Sequence, residues 1–198
     1  MEIPELTLKI SNLKKTYPGE VQAVRGVSLE MESQRIYALL GPNGAGKTTV
    51  LKSILGFVDY SGSVEVFGSD VDRVRNRLSF VPEEKSFYEN LNVEKALRLA
   101  SKISGSFDGK HARELINHYK LPPNKKIGTF SNGMKTALYI SLALSTDSDL
   151  YILDEPTWGL DPILREDTLE FIREKVIVGK TVLYTSHIIP EVEDRFQH

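Results

Sequence analysis

Residues 41–49 read Gly41-Pro42-Asn43-Gly44-Ala45-Gly46-Lys47-Thr48-Thr49, and this stretch restricts the fold more than any other part of the chain. It matches G-x-x-x-x-G-K-[ST], follows the apolar run 36–40 and precedes a helical pattern, the strand–loop–helix context in which such a match has a physical meaning. At average residue usage its four fixed positions recur by chance in roughly one chain in a hundred of this length. The flanking pattern lowers that further, so an ordinary Gly-rich turn is the weaker reading. Glycines let the backbone curl until successive N–H groups, with the positive end of the following helix, surround phosphates. Lys47 then reaches the β- and γ-phosphates and the Thr48 hydroxyl ligates Mg²⁺.

The remaining pattern is that of an α/β chain. Strand-like runs fall at 6–10, at 27–31 with alternating Val27, Leu29 and Met31, and at 36–40, 64–67, 78–81, 150–153 and 182–185. Three of them, 36–40, 150–153 and 182–185, are nearly continuous in apolar residues, which predicts strands covered on both faces of a parallel sheet. From 84 to 146 the spacing turns helical. Val93, Ala96, Leu97 and Ala100 follow an Asn92 cap, then come Ala112, Leu115, Ile116 and Tyr119. This predicts a helical subdomain inserted into a core made of 1–83 and 147–198, a single domain in all. Pro122-Pro123-Asn124 ends the helices and hands the chain to a loop closing at Ser131-Asn132-Gly133.

Composition removes several functions. Lysine plus arginine (25) nearly balances aspartate plus glutamate (27), giving a formal charge of -2, so no basic excess exists to neutralise a nucleic-acid backbone. Without cysteine there is neither a disulfide framework nor a thiolate metal site, which fits a reducing cytosol. His111 and His118 share a helix face but have no carboxylate or thiol at ligand spacing, and are expected to be a satisfied surface pair rather than a zinc site. The longest apolar runs, 36–40 and 137–144, fall far short of the roughly 20 residues of a spanning helix, so this chain is not expected to form a pore itself. Its start, Met1-Glu2-Ile3-Pro4-Glu5, lacks the basic and apolar pattern of a signal peptide and predicts a protein that is not exported.

Leu150-Tyr151-Ile152-Leu153-Asp154-Glu155 is an apolar strand ending in two carboxylates, at the strand end where α/β folds bind ligands. Alone, such a pair is more often a strand running into a solvated turn; behind a phosphate loop the balance reverses. Asp154 is expected to hold Mg²⁺, and Glu155 to deprotonate the water that attacks the γ-phosphate.

Together with the loop at Gly41 to Thr49, Asp154-Glu155-Pro156-Thr157 running into Gly159-Leu160-Asp161-Pro162, and Thr185-Ser186-His187, resemble the ATP-binding domain of ABC transporters in order and spacing. The resemblance extends from about Leu6 to Asp194. It implies a P-loop NTPase core with a mostly parallel sheet, an N-terminal antiparallel portion and the helical insertion, with ATP and Mg²⁺ as cofactors. It also implies that Tyr17 stacks on adenine, that His187 contacts the γ-phosphate, and that Asp161 communicates across a dimer.

Two departures stand out. The signature Leu-Ser-Gly-Gly-Gln appears as Phe130-Ser131-Asn132-Gly133-Met134, where Ser131 and the Gly133 N–H would meet the partner's γ-phosphate. Asn132 is expected to take over dihedrals that a glycine would adopt. The glutamine expected after Val81-Pro82 is Glu83, which can still ligate Mg²⁺ but adds negative charge. Both departures resemble the single-domain ATPases of drug, antibiotic and ion exporters. Trp158, where a small residue is usual, reads as a local packing variant.

The resemblance implies a subunit that dimerises head to tail on ATP, with a second copy of itself or a related ATPase, beneath an integral membrane permease on the cytoplasmic face. The permease would touch the groove beside Glu83 and the helical insertion. A soluble ABC ATPase of assembly, translation or repair is the alternative, and a module that binds without hydrolysing is a third. The sequence stops soon after His187, which reads either as a minimal domain or as part of a longer chain.

Overall fold

The computed structural model describes residues 5–86 and 88–187; Met1 to Pro4 and the stretch toward Asp194 lie outside them. The order is β1 (Leu6–Tyr17), β2 (Val21–Glu32), β3 (Ile36–Leu40), α1 (Lys47–Ile54), β4 (Ser61–Val66), α2 (Val71–Val74), β5 (Leu78–Val81), α3 (Val93–Ile103), α4 (Gly109–His118), α5 (Asn132–Leu144), β6 (Leu150–Leu153), α6 (Pro162–Ile177) and β7 (Thr181–Ser186). β2, β1 and β4 form an antiparallel sheet, and β3, β7, β6 and β5 a parallel one in that order. Helices α3 to α5 lie between β5 and β6 in the chain, as the helical spacing predicts.

The parallel sheet divides two cores by the period-2 rule of a strand. Tyr151, Leu153, Val182 and Tyr184 face the helices α3 to α6. Leu150, Ile152 and Leu183 face the opposite way, onto α1 and the antiparallel sheet with Leu8, Ile10, Leu51 and Ile54. β6 and β7 are buried along their whole length. β3 departs from the expectation: with β5 it is one of the two edge strands of this sheet among the described residues, half-buried, with Leu40 38% exposed.

Side-chain caps define the helical insertion. Asn92 Oδ1 accepts from Lys95 N and Asp108 from Lys110 N and His111 N, satisfying N–H groups that a helix start leaves orphaned. Ser131 caps α5, so Asn132 and Gly133 form the first turn of that helix instead of ending a loop. Residues Thr136 to Leu144 of α5 are all buried, which makes α5 the central helix against which the others pack.

Candidate active site

Register alone gathers the motifs. Leu40 pairs with Ser186, Tyr184 with Leu153, and Leu153 with Val81. The four parallel strands therefore end at one level, and the residues that follow leave the sheet at the same edge: Gly41, Pro82-Glu83, Asp154-Glu155 and His187. This carboxyl edge is where open α/β sheets bind ligands.

The loop at 41–46 is built on two left-handed glycines, Gly44 (φ +82°) and Gly46 (φ +90°). At Gly46 a Cβ would lie 2.3 Å from the Ala23 carbonyl oxygen, so only glycine fits where the loop turns into α1. Lys47, buried at the start of α1, donates to the carbonyls of Gly41 (2.7 Å) and Pro42 (3.3 Å) and lies 3.6 Å from Glu155 Oε1. Asn43 to Thr49 line a 280 Å³ cavity with Ala23, Glu83 and Glu155. Tyr17 sits at the end of β1 under the Lys15 ammonium, 5.1 Å from its ring centre, and is not one of the residues around that cavity.

One hydroxyl organises both carboxylates. Thr185 Oγ1 donates to Asp154 Oδ1 (2.6 Å) and accepts from the Glu155 N–H (2.9 Å). Glu155 takes φ +49°, a conformation that costs a non-glycine residue on the order of 1 kcal/mol or more, and its bond to Thr185 helps hold it there. Glu155 Oε2 lies 2.8 Å from His187 Nδ1. Thr48 Oγ1 donates to Glu83 Oε2 at 3.2 Å, which brings Glu83 to the loop's hydroxyl.

The donor set fits a metal–triphosphate. Asp154 Oδ2 and Glu155 Oε1 are buried without a hydrogen-bond partner, a loss of about 1–3 kcal/mol for such a group, and a cation or an ordered water satisfies them. Thr48, Glu83 and Asp154 all line a second, 680 Å³ cavity, bringing a hydroxyl and two carboxylate oxygens to one place. No group of three or more His, Cys, Asp or Glu suited to a metal exists among the described residues, so a metal here must draw further ligands from phosphate or water. In the same cavity burial pulls the Lys85 ammonium down to about 8, against the upward pull of Asp154, Glu83 and Glu155.

Several sequence expectations change. Asn132 does not take left-handed dihedrals; it is an ordinary first-turn helical residue, so its amide is not there to replace glycine's freedom. Gly133 is required for a different reason: a Cβ on it would lie 2.2 Å from the Gly159 carbonyl oxygen of its own chain. Thr136 Oγ1 adds a hydrogen bond to the Trp158 carbonyl (2.8 Å), joining α5 to the loop after Glu155. Trp158 itself is not packed away but 45% exposed, in the cavity with Asn132 and Lys135. Asp161 caps α6 through Ile163 N and Leu164 N. The two histidines, by contrast, are satisfied as expected, His118 by Asp167 at 2.8 Å and His111 by the Ser145 hydroxyl at 3.2 Å. Thr185, Lys85 and Gly159 carry geometry that spacing along the chain does not reveal.

Residues 24–158 match the family described as ABC transporter. The linearmycin resistance ATP-binding protein LnrL of Bacillus subtilis (strain 168) is 37% identical over 94% of this chain and 63% of its own length. The lantibiotic transport ATP-binding protein SrtF of Streptococcus pyogenes is 36% identical over 94% of this chain and 82% of its own. Among solved structures, an ATP binding subunit of an ABC transporter superposes with TM-score 0.82 at 28% identity, covering 96% of this chain and 82% of that one. The chain thus spans less than two thirds of the length of LnrL.

Proposed function

This chain belongs to the ABC transporter family, and from that premise we propose that it is the ATP-binding, ATP-hydrolysing subunit of an exporter. It works as an ATP-closed pair beneath an integral permease, on the inner face of a membrane. The observation that carries this reading is the convergence of Lys47, Asp154 and Glu155, with Thr185 bonded to both carboxylate residues. No helix among the described residues is long and apolar enough to cross a membrane. Export is supported by the relatives' names, linearmycin resistance and lantibiotic transport.

Lys47 leaves the Gly41 and Pro42 carbonyls to meet the β- and γ-phosphates, the curled loop donates its N–H groups, and Tyr17 offers a ring for adenine. Thr48, Glu83 and Asp154 would hold Mg²⁺, which would supply charge neutralisation at the phosphates. Glu155 accepts a proton from the attacking water, and His187, across a 2.8 Å contact, fixes that carboxylate and faces the γ-phosphate. Ser131, Asn132 and Gly133, with Asp161, face the nucleotide of the second copy. The Ser131 hydroxyl accepts from Met134 N, which leaves its own proton free to donate to a phosphate.

Phosphate release from Mg-ATP tests the reading. Glu155→Gln keeps ATP binding but loses about 100- to 10,000-fold in hydrolysis and accumulates ATP-bound pairs on a sizing column. Unchanged turnover overturns the assignment of the base. Isolation with an integral membrane protein tests the transporter part.

A further inference from the structure

Lys85 is a lysine only 7% exposed, and its ammonium donates to the Glu83 carbonyl oxygen at 3.0 Å. It lines the same cavity as Thr48, Glu83 and Asp154. A buried ammonium is costly unless charge of opposite sign lies nearby, and here Asp154, Glu83 and Glu155 all act on it. Three carboxylates thus share a small region with two ammonium groups, Lys47 and Lys85. Glu83 makes the third carboxylate, and Lys85, two residues on in the same loop, supplies the second cation.

We propose that Lys85 is a positioning residue of the nucleotide site, fixing Glu83 beside Thr48 and offsetting its charge so that an anionic triphosphate can enter among three carboxylates. The inference rests on the ATP-site reading above. Its physical content is a sign. Without the Lys85 charge the carboxylates repel metal-free ATP more strongly, whereas a bound divalent cation masks them. The defect must therefore be largest without metal.

The test is ATP binding in EDTA and again in excess Mg²⁺, read by calorimetry or by fluorescence of the single tryptophan, Trp158, which lines this cavity. Lys85→Met is expected to weaken metal-free ATP binding about tenfold, the order expected of one neighbouring charge at partly screened range, with a change under about threefold in Mg²⁺. Lys85→Arg retains wild-type binding. Glu83→Gln combined with Lys85→Met restores the balance and returns metal-free binding to the wild-type level. That recovery is something a merely structural lysine does not produce. Lys85→Met that binds metal-free ATP like wild type overturns the proposal, and so does weak binding that Glu83→Gln fails to restore. Lys85→Gln, polar and uncharged, repeats the measurement if the methionine variant does not fold. Wild-type protein that binds no ATP at all would instead sink the nucleotide-site reading, a distinguishable result.

Discussion

At the scale of single residues, the site depends on hydroxyls that hold charges in place. Thr185 is fully buried and engages Asp154 and the Glu155 backbone together. Thr185→Val keeps the shape and strands both partners, so denaturant unfolding should show a loss of about 1–3 kcal/mol. Hydrolysis should fall further than that stability loss explains, by roughly 10- to 100-fold, because the strained Glu155 loses its anchor; Thr185→Ser should recover most of it. Tyr17 poses a separate residue question. If it stacks on adenine, Tyr17→Ala weakens ATP binding by on the order of 1 kcal/mol while Tyr17→Trp is tolerated. Equal damage by both changes indicates packing within the β1–β2 hairpin instead.

Between elements, backbone meets backbone where the start of α5 packs on the loop after Glu155, at Gly133 and Gly159. Each glycine excludes a side chain at the other. A Cβ on Gly133 would lie 2.2 Å from Gly159 O, and one on Gly159 would lie 2.9 Å from Gly133 N. Gly133→Ala should destabilise by about 1–3 kcal/mol through overpacking. Gly159→Ala should cost at least as much, because Gly159 also sits at φ +78°. Thermal unfolding of the two variants checks this, and wild-type midpoints would show that α5 and the loop separate easily. Because the helical insertion meets the chemistry here, either variant should also lower ATP turnover.

Across the whole molecule, charges at the edge opposite the site tie the strands together. Arg77 Nε contacts Asp149 Oδ2 (2.6 Å), and Lys180 Nζ contacts Asp147 (2.6 Å) and Asp149 (3.5 Å), linking the starts of β5, β6 and β7. The hydrogen bond from Arg77, with Lys180 adding to it, holds the Asp149 carboxyl below its ordinary value. Its contribution is therefore present above the unfolded value of about 3.9 and lost as pH falls through the folded one. Asp149→Asn should cost under about 1 kcal/mol at neutral pH, since the pair is well exposed, and its deficit against wild type should vanish on acidification. The paired site is also a whole-molecule question. If the site is shared between two copies, Ser131→Asp preserves an N-cap for α5 but sets a carboxylate against the partner's γ-phosphate, so it should act in trans, whereas Lys47→Ala acts in cis. Each variant alone should be inactive, and mixing them should return measurable hydrolysis. No recovery in cross-linked mixed pairs would count against a shared site.

The phosphate loop, the paired carboxylates, the cap at Asn92 and the strand runs were legible along the chain, because each depends on local geometry: residue spacing, hydrogen bonding to nearby N–H groups, or side-chain period. What spacing cannot carry is proximity between distant segments. Asn132 looked like a glycine substitute because the motif was read one residue at a time; the steric demand sits on Gly133, and it comes from Gly159, 26 positions later. The run at 36–40 looked fully covered because apolar content does not say which strand ends a sheet. Trp158 looked like packing because its neighbours in sequence do not show the cavity it faces. Thr185 stood in a motif read only for His187, and Lys85 stood in none; only the parallel register and the return of the 82–85 loop set one hydroxyl on two carboxylate residues and one ammonium among three acids. Local chemistry thus belongs to the sequence, while the meeting of charges across strands belongs to tertiary structure, since interaction falls with distance in space and not with separation along the chain.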